Sequence, residues 1–344
     1  VTAARPRVGL IGTGYIAHWR ARALRAAGFE ITAVGSRPGS KRLRPFAAES
    51  AIPRVFDDWR EMLRRPEHWD CLAICTWPDG TPEVLSAALD LEVPTLVEKP
   101  VAWASEAISD LCRKPHDRVI VGYNRRAYPA VWEARRLAQD GPPLVAHLTL
   151  PKDVFAPAEA DPNGNYLRLF FESVSALGID VARYVLGDLR IASALRLRNP
   201  AGNLYGFAAL LSTERGDVLQ VTGNLGAAAN FALTLNWPGR RFELLPFEVG
   251  SEYAGLEVVP PSAEYPIARY MPTLLRRIQL EGADLVEKPG FVAEAEALRG
   301  ILDGDPRPEF AATLEDAAAV TRLCEGLTGV RYASSDEYPN PFAS

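Results

Sequence analysis

The sequence predicts an α/β chain in two parts: an N-terminal doubly wound parallel sheet, then an α+β domain with an open, mainly antiparallel sheet. Three observations predict it. The chain has 344 residues, too many for one ordinary core. Its first third alternates short apolar runs with helical patterns, the rhythm of right-handed βαβ units. Beyond Leu144 that rhythm gives way to long extended runs joined by turn residues.

In order, RVGLI is followed by a helix over 16–27, EITAV by one over 39–49, CLAIC by one over 82–91, and PTLV by one near 105–113, before RVIVG. Residues 1–122 are therefore expected to form the parallel domain and residues 123–344 the second. VAHLTLP, IASALRLR, LYGFAALLST, DVLQVTGNL and FALTLNW read as the strands of the second sheet, with turns such as ERGD and NPAGN between them. A helix over 172–186 is expected between the first two of these runs. Alanine-rich helices, FVAEAEALRGIL and LEDAAAVTRLCEGL, follow the sheet.

The composition is that of a soluble globular protein, 48% apolar and 24% charged. A net charge of −5 argues against nucleic acid or an anionic membrane as partner. No apolar run reaches the roughly 18 residues of a membrane span, and the start VTAARPRVGLIG has no cleavable signal pattern, so a cytoplasmic location is expected. Cys71 and Cys75 lie in an apolar strand, and Cys112 and Cys324 stand apart from them. His18, His68, His116 and His147 are not spaced as ligands, so no metal is expected.

VGLIGTGYIAHW fits G-x-G-x-x-A through Gly12, Gly14 and Ala17, directly after a strand and opening a helix. Gly12 permits the tight turn, Gly14 lets a pyrophosphate approach the backbone, and Ala17 allows close helix–strand packing. The helix start at Tyr15 and Ile16 supplies amides and dipole for the phosphates. This is the signature of a Rossmann dinucleotide site. A carboxylate for an unphosphorylated ribose would stand at the end of the second strand, where the chain has Ser36 and Arg37 instead. A hydroxyl and a guanidinium, reinforced by Lys41 and Arg42, suit a 2′-phosphate, so NADP(H) is preferred and NAD(H) remains an alternative. The competing reading is a solvated basic helix start.

LVEKPVAW puts Lys99 where the fifth strand gives out. A lysine there is commonly a surface charge. An ammonium beside a carbonyl also polarises it for hydride attack and supplies the proton; as a neutral amine it accepts one in reverse.

With the glycine turn, the Ser36–Arg37 pair, TWPD, EKP and GYNRRAYP in this order, the chain resembles the glucose-fructose oxidoreductase / inositol dehydrogenase / rhizopine catabolism (Gfo/Idh/MocA) family over nearly its whole length. The resemblance implies NAD(P)-dependent hydride transfer on a sugar, nucleotide sugar or cyclitol, and a homodimer or homotetramer formed through the second sheet. It makes Lys99 the catalytic lysine, in a Lys–Pro bond often cis in relatives. Thr76, Trp77 and Pro78, Glu98 and Asn124 are expected to border the cofactor, and Arg125 the substrate; Trp77 serves equally as a hydrophobic lid.

The likeness fails at one place. Relatives often carry D-x-x-x-H-x-x-D on the helix entering the second domain, where ESVSALGID places Ser173, Leu177 and Asp180, and the histidine common after the fourth strand is replaced by Thr81 or Pro82. Residues 173, 177, 180 and 184 share one helical face. Asp180 and Tyr184 are thus the remaining candidates to work with Lys99, unless Asp180 merely pairs with Arg183. Tyr166, in the polar segment 151–170, is a further substrate candidate. Two other activities stay open: imine reduction, and cofactor binding without catalysis as a sensor or scaffold.

Overall fold

The structure, a computed structural model, describes residues 5–152, 175–198, 200, 204–225 and 227–329. Tyr166, Glu172 and Ser173 therefore lie outside the described residues. The chain divides into two compact units: one runs to Ala127 and takes back Glu281–Arg322, and the other comprises Tyr128–Leu280 and Leu323–Gly329. This differs from the sequence reading, which assigned everything after 122 to the second domain. The reason is packing. The segment after Glu281 covers the parallel sheet, and no local pattern announces that return.

In the first unit, β1 (Arg7–Ile11), β2 (Glu30–Gly35), β3 (Arg54–Phe56), β4 (Cys71–Ile74), β5 (Thr95–Val97) and β6 (Val119–Val121) form one sheet in the order β3-β2-β1-β4-β5-β6. All five pairings are parallel. The helices are α1 (Tyr15–Ala26), α2 (Leu43–Glu49), α3 (Trp59–Leu63), α4 (Thr81–Leu89) and α5 (Ser105–Leu111). Past the first residues of β1 and β2, the inner strands are buried and nearly all apolar because both faces are covered. Strand β3 and helix α3 escaped the sequence reading, since a three-residue, half-exposed edge strand has no periodicity to show. The edge beyond β6 is closed by an antiparallel bridge between Val121 and Ala312, which removes a free strand edge.

Helix α1 packs Ala17, Ala21 and Leu24 against the sheet beside Leu10 and Cys75. On its other side Ala23 meets Phe291 and Val292 of α8 (Phe291–Asp303). At the far edge, His116 donates from Nδ1 to the Lys114 carbonyl (2.6 Å) and pairs through Nε2 with Glu315 (2.5 Å), in the first turn of α9 (Leu314–Thr328). Cys112 joins these two in one small cluster of side chains.

The second unit holds α6 (Pro129–Asp140), β7 (Val145–Lys152), α7 (Ala176–Leu186), β8 (Arg190–Arg198), β9 (Leu204–Ser212), β10 (Val218–Leu225), β11 (Ala232–Trp237), β12 (Arg240–Leu244), β13 (Val249–Val259) and β14 (Arg269–Gln279). The sheet order is β14-β13-β12-β11-β7-β10-β9-β8; β7 and β10 run parallel and the other pairs antiparallel. Expected strands end at β11. The last three carry charges instead of an apolar run, and a ladder of those charges ties them: Glu252 accepts from Arg240 (2.9 Å) and Arg276 (2.6 Å), and Arg276 reaches on to Glu133 of α6. Gly178 lets α7 approach β7, because a Cβ there would lie 2.5 Å from Leu150. Among the described residues no helix is long and apolar enough to cross a membrane.

The His116 pair gives stability a defined pH dependence. Burial alone would lower the imidazole's pKa, but the Lys114 carbonyl and the Glu315 carboxylate outweigh it and raise it. With the folded-state value raised above the unfolded value of about 6.5, the pair's contribution is complete below that pH and is lost as pH rises through the folded value. Urea midpoints of the protein and of His116→Gln should differ more at pH 5.5 than at pH 8.5; an equal gap at both would contradict the pair's charge.

Candidate active site

Four turn residues stand in a row at the carboxyl edge of the parallel sheet. The Gly12 amide donates to Gly35 O (2.9 Å), Cys75 to Ile11 O (2.7 Å), Glu98 to Ile74 O (2.8 Å) and Gly122 to Val97 O (2.8 Å). Each strand is thereby locked to its neighbour one residue past its end. The turn after β1 and the turn carrying Lys99 share this rim, two strand spacings or about 10 Å apart. Ligands of open parallel sheets bind outside this edge.

Gly12 has φ 109°, and a Cβ on it would lie 2.4 Å from the Cys75 carbonyl oxygen, so only glycine fits. Gly14 is the N-cap of α1, and a Cβ there would meet nothing within 4 Å: the turn opens outward beside the helix start. The first turn of α1 has neither a side-chain cap nor an acid. An uncapped twelve-residue helix with an open glycine at its start is a receptacle for phosphate, so these residues fit a dinucleotide cofactor. Tyr15 is 73% exposed and meets Trp19 edge-on, while Ile16 packs against the core beside it.

At the end of β2, Ser36 is buried and its hydroxyl donates to the Arg37 carbonyl (3.0 Å). Its proton goes to the main chain here. Arg37, Lys41 and Arg42 are exposed beyond it. The expected helix start at 39 falls instead at Leu43, leaving those cations in a loop.

The loop after β4 is stitched by Thr81, whose hydroxyl is 2.8 Å from that of Thr76 and 3.1 Å from the Trp77 carbonyl. Thr81 is one of the positions where the relatives' histidine was expected; here its hydroxyl holds the loop. Trp77 packs edge-on against Trp103 (5.7 Å), whose indole N–H donates to Asp79 (3.1 Å). Burial raises the Asp79 pKa against that hydrogen bond. Pro78 is buried. Trp77 therefore belongs to a built aromatic pair, and Trp103 and Asp79 are its unforeseen partners.

Lys99 is half-buried, and the Lys99–Pro100 peptide is cis. The preceding carboxylate faces the interior. Glu98, 6% exposed, accepts from Arg20 Nε at 2.8 Å and again from its Nη2, while Arg20 Nη1 donates to Glu294 at 2.8 Å. Arg20 has no exposed surface, and its guanidinium lies 3.8 Å over the Phe291 ring. Burial would lower the Arg20 pKa, but the two carboxylates overcome it and raise it. Removing one partner of such a buried cluster strands a charge, at about 3–5 kcal/mol. The Glu98 side chain, expected beside the cofactor, is thus an internal anchor.

Asn124 donates from Nδ2 to the Pro289 carbonyl (2.7 Å), and Gly290 (φ 76°) passes so close that a Cβ would sit 2.1 Å from the Asn124 carbonyl oxygen. Its side-chain amide therefore holds the returning segment. Arg125 is half-buried, and its neighbour Arg126 bonds Asp316 at the start of α9 (2.9 Å).

In the second unit α7 is buried nearly all round, Asp180 and Tyr184 included, and Leu177, one turn before Asp180, is half-buried. Arg135 stacks on the Tyr184 ring (4.4 Å) and bonds its carbonyl. Arg183 pairs with Asp188 (2.5 Å).

Residues 6–123 match the Gfo/Idh/MocA family model, described as an oxidoreductase family with an NAD-binding Rossmann fold. The inositol 2-dehydrogenase of Paracoccus denitrificans (strain Pd 1222) is 25% identical over 236 residues, 62% of this chain and 66% of that protein. The match thus spans just under two thirds of that relative. Among solved structures, an NAD-binding oxidoreductase from Klebsiella pneumoniae shares 16% identity, with TM-score 0.74 over 95% of this chain and 96% of that one. A levoglucosan dehydrogenase in complex with NADH and levoglucosan gives the same identity, TM-score and coverage. At that identity the two structures show a common fold over nearly the whole chain.

Proposed function

We propose, from the premise that residues 6–123 are the NAD-binding domain of a Gfo/Idh/MocA oxidoreductase, that the protein is an NADP(H)-dependent oxidoreductase acting on a hydroxyl or carbonyl of a sugar, nucleotide sugar or cyclitol. The observation that carries this reading is the shared rim: the glycine turn at α1 and the turn holding Lys99 are locked to the same edge of one sheet. The inositol and levoglucosan dehydrogenases among the relatives favour a polyhydroxylated substrate.

The bound cofactor supplies a nicotinamide that gives or takes the hydride. The chain's own part begins with Gly14 and the amides of α1, which hold the pyrophosphate. Arg37, Lys41 and Arg42 favour a 2′-phosphate over a bare ribose. In reduction, the Lys99 ammonium withdraws charge from the carbonyl oxygen and passes a proton to it; in oxidation, the neutral amine takes the hydroxyl proton. Asp180 and Tyr184 serve as substrate ligands or relay partners, with Tyr166 and Arg125 as further substrate contacts. The edge-on packing of Trp77 on Trp103 supports a role for the pair in keeping water from the reacting centre.

The second sheet leaves Leu195, Leu210, Leu256, Val258, Tyr270 and Leu274 exposed, and burial of these side chains against a second copy would make the protein a homodimer or homotetramer.

Lys99→Met should lower kcat by about 10² to 10⁴ with little change in NADPH affinity, in steady-state assays against cyclitol and sugar panels and in fluorescence titration; unchanged turnover would refute the assignment. Arg37→Asp should weaken NADPH binding by about 10-fold or more, the worth of one charged hydrogen bond, and leave NADH within about threefold. Equal losses for both would remove the 2′-phosphate reading. Light scattering should find a dimer or tetramer that Leu210→Glu dissociates, whereas a monomeric parent protein would refute that interface.

A further inference from the structure

We propose that Arg20 is a positioning residue for the reaction: it holds Glu98, and through Glu98 fixes the direction from which Lys99 meets the substrate. The inference rests on the reading of Lys99 as acid and base given above.

The peptide before Lys99 is gripped at both ends. Its main chain is held by the Glu98 amide donating to β4, and its side chain by two hydrogen bonds that Arg20 Nε and Nη2 donate to Glu98 Oε1. A lysine ammonium sits on a flexible four-carbon stem, so its aim depends on how firmly its own backbone is held. The grip has little freedom to give. Arg20 is fully buried, its plane rests on Phe291, and its remaining nitrogen is occupied by Glu294 of α8. Gly122 closes the site from the next strand, since a Cβ there would lie 3.1 Å from both Arg20 Nη2 and Glu98 Oε2.

A purely structural role explains this poorly. A buried ionic cluster is commonly matched or bettered in stability by packed apolar side chains. Here the cluster also joins the helix expected to take the cofactor's phosphates to the turn that carries the lysine, two strands away across the sheet. Arg20 is thus a direct side-chain link between α1 and the turn that carries Lys99.

The test is a double-mutant cycle of Arg20→Lys with Lys99→Met. It reads kcat, the pH dependence of kcat/KM and NADPH affinity for a substrate that the parent enzyme turns over. Arg20→Lys keeps the charge but loses the fork that grips Glu98. It should lower kcat by about 10- to 100-fold, move the pH profile of kcat/KM, and leave the NADPH dissociation constant within about threefold. In the Lys99→Met background it should cost nothing more, because its effect runs through the lysine. Wild-type kcat in Arg20→Lys, or the same loss with and without Lys99, would overturn the inference. Wild-type turnover by Lys99→Met alone would instead overturn the reading of Lys99 on which it stands. Should Arg20→Lys show no cooperative unfolding transition, Glu98→Gln takes its place with the same two outcomes, since it keeps the shape and an acceptor for Arg20.

Discussion

One fully buried guanidinium shared between two carboxylates organises the first unit. Arg20 reaches from α1 to Glu98 at the end of β5 and to Glu294 in α8, so a helix, a strand end and a segment arriving from residue 281 onward meet in one cluster. Charges withdrawn from water tolerate few alternatives, because any displacement strands one of them. The cluster therefore pins three elements that apolar packing alone would leave freer to slide. Ala17, Ala21 and Leu24 supply the apolar adhesion of α1; Arg20 supplies its register.

From that anchor the candidate site follows by geometry. Parallel strands end at one edge, and the hydrogen bonds of Gly12, Cys75, Glu98 and Gly122 carry the sheet one residue further. What projects beyond them is therefore held at a defined height: an open glycine at the start of an uncapped helix, a lysine on a gripped turn, and a tryptophan pair stitched by Thr81 and Asp79. Phosphate recognition and proton transfer make different demands, on backbone amides and on a side-chain amine. The function proposed above asks both of one rim, with residues from different strands, which is how one sheet serves several chemistries.

Much of this was legible in the sequence because it is local. G-x-G-x-x-A declares its own turn, the alternation of strands and helices declares the parallel sheet, and Lys99 stands beside a proline in a recognisable motif. The illegible parts are those decided by distant partners. Arg20 looks like one of several arginines in YIAHWRARALRA; only its place beside Ala17, Ala21 and Leu24, on the apolar stripe, marks it as buried. Glu294 has the same disguise between Phe291 and Leu298. A charge on a core-facing helical position was the signal available, and it needed both helices read together. Motif places Glu98, Asn124 and Ser36 near the cofactor; the contacts of their polar groups with Arg20, Pro289 and Arg37 lie outside what a motif shows. The last three strands of the second sheet stayed hidden for another reason: Arg240, Glu252 and Arg276 hold them through charges where an apolar run was sought.

On the function proposed above, the turn carrying Lys99, held by Arg20, would face the cofactor from the sheet's carboxyl edge. A crystal structure of the protein with NADPH tests it most directly. The pyrophosphate is expected against Gly14 and the first amides of α1, the nicotinamide beside Lys99, and Glu98 still bonded to Arg20. A nicotinamide bound away from Lys99, or a Glu98 carboxylate released from Arg20 to contact the cofactor, would contradict it.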